Sequence, residues 1–124
     1  MYTDVTTFEI AAQKKGVDPN WVPDFSMFPE AYRKAKEAEY RLDVIIEQMN
    51  NDPSFPDFSN WSQPKYYLWL DIDRSGSGLS LLTVGHSVTS TIVGARRSFK
   101  ERAAARFCFE TFKELFEASY LNNK

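Results

Sequence analysis

The chain has 124 residues, 43% of them hydrophobic, and a formal net charge of −2. The near-neutral charge argues against a general duplex nucleic-acid binder, and without an apolar run of roughly 20 residues no membrane span is expected. The single cysteine excludes an internal disulfide. We expect one domain, 1–124, in which residues 1–64 carry a net −5 and are mainly helical, whereas residues 65–124 carry a net +3.

The acidic half, residues 1–64, begins with a short predicted helix and an apolar connector. In TTFEIAAQKKG, Thr6 or Thr7 can cap a helix that ends at Gly16. The next residues, VDPNWVPDFSMFP, contain three prolines and therefore predict a connector. Its apolar side chains should pack across the domain: Trp21, Val22, Phe25, Met27 and Phe28.

A long amphipathic helix should follow, because Pro29 suits a first helical turn and apolar residues then recur every three or four positions. The apolar stripe consists of Tyr32, Ala35, Leu42, Ile45, Ile46 and Met49. Charged residues fill the other faces, as on most solvated helices. Asparagines and two prolines in NNDPSFPDFSN end the helix.

The hydrophobic period changes to two in KYYLWLDID, which predicts a strand with two different faces. One face is apolar and should point to the core: Tyr66, Leu68, Leu70 and Ile72. The other has charge at both ends and two large aromatic rings between them: Lys65, Tyr67, Trp69, Asp71 and Asp73.

Residues 71–82, DIDRSGSGLSLL, begin like a calcium-binding EF-hand loop. Asp71, Asp73 and Ser75 hold positions 1, 3 and 5, and Gly76 holds position 6. Position 12, however, is Leu82 instead of a bidentate glutamate, and predicted strands flank the loop where an EF-hand has helices. Because tight turns also select Asp, Ser and Gly, we interpret the segment as a hairpin turn without a metal.

Residues 79–94 are rich in Thr, Val, Ile and Leu and predict further strands, and ARRSF is a candidate extension of the last one. A C-terminal helix follows; Ser98 and Glu101 have capping-box spacing, although the helix could start two or three residues later. Its apolar stripe is Ala105, Cys108, Phe109, Phe112, Leu115, Phe116 and Tyr120, so Cys108 should be buried. The predicted class is α+β: a short helix, a long amphipathic helix, a small three-stranded antiparallel sheet and a C-terminal helix packed on one face.

No sequence motif points to catalysis. His86 is the single histidine, and no Ser or Cys can be paired with it from the sequence. The letters GSG lack the spacing of a dinucleotide-binding loop, and no Cys/His spacing suits zinc. We therefore expect a non-enzymatic protein with no cofactor and no metal.

Tyr67 and Trp69 are the candidate functional pair. Either Trp61 and the connector 51–64 cover them, so that they only stabilise the fold, or they are open to a partner. Aromatic rings anchor protein interfaces and also stack on the bases of single-stranded nucleic acid. The candidate binding residues are Trp61, Lys65, Tyr67, Trp69, Arg96, Arg97 and Lys100. A small-molecule cage and a homo-oligomer are further alternatives.

The segments KYYLWLDIDRSGSGLS and VGARRSFKERAAARFCFETFKELF resemble a family of small uncharacterised proteins from tailed phages and prophages of gut bacteria. Members typically show Lys-Tyr-Tyr-Pro-Trp-Phe, a Ser-Gly hairpin, Val-Gly-Ser-Arg and Phe-Lys. Matching residues are Lys65, Tyr66, Tyr67, Trp69, Gly76, Gly78, Val93, Gly94, Phe99, Lys100, Ala105, Phe107 and Phe112. The departures are Leu68 for the usual proline, Arg97 for an aliphatic residue and Phe109 for a common glycine.

The resemblance covers about Thr6 to Tyr120 and implies a phage or prophage protein with no established activity. The single cysteine, and an N-terminal segment unlike a secretion signal, favour the cytoplasm of the bacterial host. Our first hypothesis is contact with a host or phage protein, for example to inhibit a defence system such as CRISPR–Cas. The alternative is a single-stranded nucleic-acid-binding accessory protein of phage replication. In that case Tyr67 and Trp69 would stack bases while Arg96, Arg97 and Lys100 meet phosphates. Neither hypothesis involves a membrane.

Overall fold

The computed structural model describes residues 1–60, 62–73, 76, 78–87 and 97–121. A 3₁₀ turn over Tyr2–Asp4 precedes helices α1 (Phe8–Lys15) and α2 (Glu30–Asn50). Strands β1 (Lys65–Ile72) and β2 (Leu79–Ser87) follow, and helices α3 (Arg102–Thr111) and α4 (Lys113–Tyr120) come last. The described residues thus form an α+β fold, as the sequence predicts.

Both predicted caps of helix α1 are confirmed. The Thr7 hydroxyl accepts a hydrogen bond of 3.2 Å from the Ile10 N–H. Gly16 ends the helix with a φ of 84°, and its N–H donates to the carbonyls of Ala12 and Gln13. Glycine suits this position because a side chain would strain a left-handed backbone.

Helix α2 packs against α1 on one side and α4 on another. Pro29 is its N-cap, and Asn51 ends it in a left-handed conformation with a φ of 46°. The buried residues are Ala38, Leu42, Val44, Ile45, Ile46 and Met49. The expectation that Tyr32 belongs to the apolar stripe is wrong: Tyr32 is exposed, because the buried face of the helix begins only at Ala38.

The connector before α2 packs less completely than the sequence predicts. Val22, Phe25 and Phe28 are partly buried, but Trp21 and Met27 are exposed. The connector contacts α2 and itself: Trp21 meets the ring of Tyr40 in α2 edge-on at 5.7 Å, and Phe25 meets Phe28 at 6.1 Å. The connector therefore lies along the surface of α2 instead of entering the core.

The C-terminal helix divides in two at Phe112, whose φ of −117° and ψ of 30° interrupt the α-helical backbone. The two halves have different neighbours, since α3 packs on the hairpin and α4 packs mainly on α2. Helix α3 begins at Arg102, and Ser98 does not cap it; Ser98 is buried, and its carbonyl accepts from the Asn50 side-chain amide at 2.9 Å. Tyr120, expected in the buried stripe, is exposed beneath the Arg97 guanidinium.

Strands β1 and β2 form a two-stranded antiparallel sheet. The third predicted strand falls largely on residues 88–96, which lie outside the described residues. On the other side of β1, the N–H and C=O of Tyr66 pair with those of Phe99 at 3.0 and 2.7 Å, so the ARRSF segment does reach the sheet edge at one residue. Among the helices of the described residues, none has the length and apolar character needed to cross a bilayer.

The loop between the strands confirms the turn interpretation of residues 71–82. The Asp73 N–H donates to the Gly78 carbonyl at 3.0 Å, and the Gly76 N–H donates to the Asp73 carbonyl at the same distance. Gly76 has a φ of 74°, which suits glycine in a tight turn. No group of three His, Cys, Asp or Glu side chains within the described stretches of the chain could hold a metal ion.

Candidate functional site

The hairpin has an inner face that packs against the helices. Its buried or partly buried residues belong to the core or lie against it: Tyr66, Leu68, Leu70, Leu79, Leu81 and Val84. Ile72, predicted to join them, is exposed. Its partner in the register, Leu79, is buried, so at this end of the hairpin the core covers β2 but not β1.

The outer face of the hairpin comprises Lys65, Tyr67, Trp69 and Asp71 of β1 and Ser80, Leu82, Thr83 and Gly85 of β2. A β-bulge shapes it: Trp69 is opposite Thr83, but Leu70 is opposite Leu81, so Leu82 is an extra residue in β2. Leu82 is 65% exposed. It was not among the candidate residues from the sequence, because no residue type marks a bulge in advance.

Tyr67 and Trp69 lie together over the backbone of Gly85. Their ring centroids are 6.4 Å apart with an angle of 34° between the planes. A Cβ atom at Gly85 would come within 2.8 Å of Trp69 Nε1 and 3.0 Å of a Tyr67 ring carbon. Rings packed over a glycine in this way compensate for its missing side chain. The two rings are therefore supported from beneath by the partner strand.

The connector 51–64 covers one end of the outer face, at Lys65. Lys65 is only 3% exposed. Its ammonium group donates to the carbonyls of Asn60 at 3.3 Å and Gln63 at 3.1 Å, and lies 5.3 Å from the centre of the Phe58 ring. Such partners are needed because a buried charge without hydrogen bonds is strongly unfavourable. Lys65 thus fixes the loop 57–63 and does not present its charge to a partner.

The loop that covers Lys65 has internal hydrogen bonds of its own. Asp57 accepts from the hydroxyl of Ser59 at 2.6 Å and from its N–H at 3.0 Å. These two bonds, together with the charge of Lys65, hold the pKa of the Asp57 carboxyl below its usual range. The Asp57 N–H in turn donates to the Gln63 side-chain carbonyl at 2.7 Å.

Cover is much less complete farther along β1. Tyr67 is partly buried, and Trp69 is 53% exposed. The connector 51–64 therefore covers the outer face at Lys65 but leaves the indole of Trp69 accessible. Trp61, which was predicted to belong to the cover or to the site, lies outside the described residues.

Arg97 and Lys100, the candidate cations after the hairpin that the structure describes, do not join the aromatic pair. The Arg97 guanidinium lies 4.9 Å from the centre of the Tyr120 ring, and its Nη2 donates to the Ser119 hydroxyl at 3.0 Å. Lys100 Nζ lies 3.2 Å from an Asp52 carboxylate oxygen, beside the end of α2. Arg96 lies outside the described residues. Arg97 and Lys100 are therefore engaged with α4 and with the segment after α2.

His86 and Cys108 form no catalytic arrangement in the described structure. The His86 ring packs against Tyr66 at 5.8 Å with its side chain exposed. Cys108 is fully buried in α3, as predicted, and burial raises the pKa of its thiol. A thiol held in its neutral form is a poor nucleophile.

Comparison of the chain with family models, with curated proteins and with solved structures finds no match. The resemblance to phage and prophage proteins therefore stays a prediction.

Proposed function

We propose that this is a non-enzymatic binding protein that acts by protein–protein contact through the outer face of the hairpin. The observation that carries the proposal is the indole of Trp69, 53% exposed on a strand whose opposite face is packed into the core. Exposed tryptophans backed by ordered structure are typical anchors of protein interfaces, and truncation of an anchor commonly weakens binding by about 2 kcal/mol or more.

The surroundings of Trp69 support an interface over a purely structural role. Tyr67 and Gly85 hold the ring from the side and from beneath, so little side-chain entropy would be lost on binding. Leu82, more exposed than Trp69 itself, extends the apolar area on the neighbouring strand. An apolar area formed by neighbouring exposed residues marks an interaction site more often than a scattered surface residue does.

The nucleic-acid alternative receives less support from the described residues. That alternative requires cations beside the stacking rings, where they would meet the phosphates. Arg97 and Lys100 are instead occupied by Tyr120, Ser119 and Asp52. We therefore favour a protein partner, which the phage resemblance would place in the cytoplasm of the bacterial host.

Site-specific photo-crosslinking in bacteria that produce the protein tests the proposal. A photoreactive phenylalanine analogue at Thr83, which is exposed opposite Trp69, should yield a discrete crosslinked protein. Trp69→Ala should abolish the product. The matched control is Trp21→Ala, since Trp21 has the same exposed fraction of 53%.

The same photoreactive residue at Met27, which is exposed in the connector before α2, is the control for the crosslinker position and should not give this product. If Thr83 gives no product, or if the product survives Trp69→Ala, the outer face is not the contact surface.

A further inference from the structure

The charge of the outer face narrows the chemistry of its partner. Asp71 follows Trp69 on the same side of β1, about 6.6 Å along the strand by standard strand geometry. Its side chain is exposed. Within the described residues, the Asp71 carboxylate enters no ion pair and no hydrogen bond.

No accessible cation balances this carboxylate among the described residues of the outer face. Lys65 shares the face, but its ammonium group is buried and donates to two loop carbonyls. Arg102 is directed elsewhere: it donates to the Val84 carbonyl and lies 5.2 Å from the centre of the Tyr66 ring, on the inner side. The described residues of the outer face therefore present apolar side chains, the hydroxyl groups of Ser80 and Thr83, and the negative charge of Asp71.

The indole of Trp69 is also without a cation from the described residues of this chain. Five aromatic rings in the described structure have a lysine or arginine over them: Phe28, Phe8, Phe58, Tyr120 and Tyr66. Trp69 is absent from that set, although indole is the strongest ring acceptor for a cation. An open indole face beside an unpaired carboxylate suits a side chain that is both long and positively charged.

We propose that the outer face binds a basic protein segment, with an arginine or lysine side chain lying across the indole of Trp69 and its cation paired with the carboxylate of Asp71. This inference rests on the proposed function and specifies its partner. Leu82 and Tyr67 contact the apolar parts of the segment. A polyanion such as single-stranded nucleic acid is disfavoured on this face, because its phosphates would approach Asp71.

The test is selection from a random peptide library on the immobilised full-length protein, followed by affinity measurements with resynthesised peptides. Enriched peptides should contain more arginine and lysine than the starting library. Trp69→Ala should weaken their binding about 30-fold or more. Asp71→Asn should weaken it about 3- to 5-fold, with the loss shrinking at high salt.

A charge exchange makes the test specific for the proposed pair. Asp71→Lys should weaken binding of the basic peptides further. A peptide in which the arginine or lysine that contributes most to binding is replaced by glutamate should bind this variant again. Trp21→Ala and Glu110→Gln, which change an equally exposed tryptophan and an exposed carboxylate of α3, should leave affinities unchanged. Both Asp71 substitutions are at an exposed position, so the fold should persist; thermal unfolding verifies this.

The outcomes separate this inference from the proposed function. If Trp69→Ala abolishes binding while both Asp71 variants bind like the wild type, the outer face is an interface and the basic partner is wrong. If no peptide depends on Trp69, both proposals are wrong. Two further results would contradict a basic partner if basic peptides are not enriched. One is binding of oligothymidylate that depends on Trp69, and the other is a dimer in sedimentation that depends on Trp69.

Discussion

On strand β2, Leu79 is buried on the inner face of the hairpin, whereas Leu82 is exposed on the outer face. The two leucines are chemically identical and three residues apart. Among the described residues, α3 and α4 cover the inner face, whereas the outer face is covered where Asn60 and Gln63 reach Lys65. The inner face therefore stabilises the fold, while the outer face, from Tyr67 onward, is available for contact.

Alanine substitution at each of the two leucines tests this difference between the inner and outer faces most clearly. Leu79→Ala should lower the free energy of unfolding by about 2–5 kcal/mol, because it leaves a cavity in the core. Leu82→Ala should change it by no more than about 0.5 kcal/mol. Urea unfolding of both variants measures the difference; similar losses at the two positions would mean that the outer face is packed.

A smaller loss of stability is expected when the segment 98–100 loses its hydrogen bonds to Asn50 of α2. The Asn50 side chain donates to the Ser98 carbonyl and accepts from the Lys100 N–H, both at 2.9 Å, and so fixes the segment that pairs with β1 at Phe99. Asn50→Ala should cost about 1–3 kcal/mol, since two backbone groups lose their partner.

Asn20→Ala, at an exposed asparagine, is the control for this substitution and should be nearly neutral. Equal stabilities of the two variants in urea unfolding would show that the amide of Asn50 is dispensable.

The covered end of the outer face can be tested at Lys65. Lys65→Met should destabilise the protein by about 1–3 kcal/mol and make the loop 57–63 more sensitive to protease. The Gln63 carbonyl loses the ammonium donor, and the Asn60 carbonyl keeps its bond from the Gln63 N–H. Lys34→Met changes an exposed lysine of α2 and should do neither. A Lys65 variant with unchanged stability and unchanged proteolysis would contradict the role of this lysine in fixing the loop.

A small effect on stability is expected for Gly85→Ala. A methyl group there collides with Trp69 Nε1 and with the Tyr67 ring, but both rings can swing outward, so stability should change by less than about 1 kcal/mol. The indole ¹H–¹⁵N resonance of Trp69 should nevertheless shift. Ser80→Ala, exposed on the same strand, should leave the resonance in place. An unmoved resonance in Gly85→Ala would show that the rings do not lie over the glycine.

Periodicity predicted which residues of β1 share a face, but it could not predict how far each face is covered. Lys65 and Trp69 are equivalent by alternation, yet one is almost completely buried and the other is half exposed. The difference arises because Phe58, Asn60 and Gln63, just before β1, contact the Lys65 side chain, and strand alternation contains no information on such contacts. Likewise, alternation placed Ile72 inside, but Ile72 is exposed although Leu79, opposite it on β2, is buried.

The turn and the caps of α1 were predictable because Gly16 and Gly76 are required by local backbone geometry. The bulge at Leu82 and the break at Phe112 were not, since both depend on which elements lie opposite. The sequence therefore predicted the aromatic pair of the candidate site. Leu82, Gly85 and the role of Asp71 could be recognised only from the register of β1 and β2.

The most direct test of the open outer face is acrylamide quenching of Trp69 in a variant that carries Trp21→Phe and Trp61→Phe. The reference is the corresponding variant that retains only Trp21, which has the same exposed fraction. We expect the two indoles to be quenched at similar rates. A Trp69 signal shielded from acrylamide, while Trp21 is quenched freely, would contradict an accessible indole and remove the proposed contact surface.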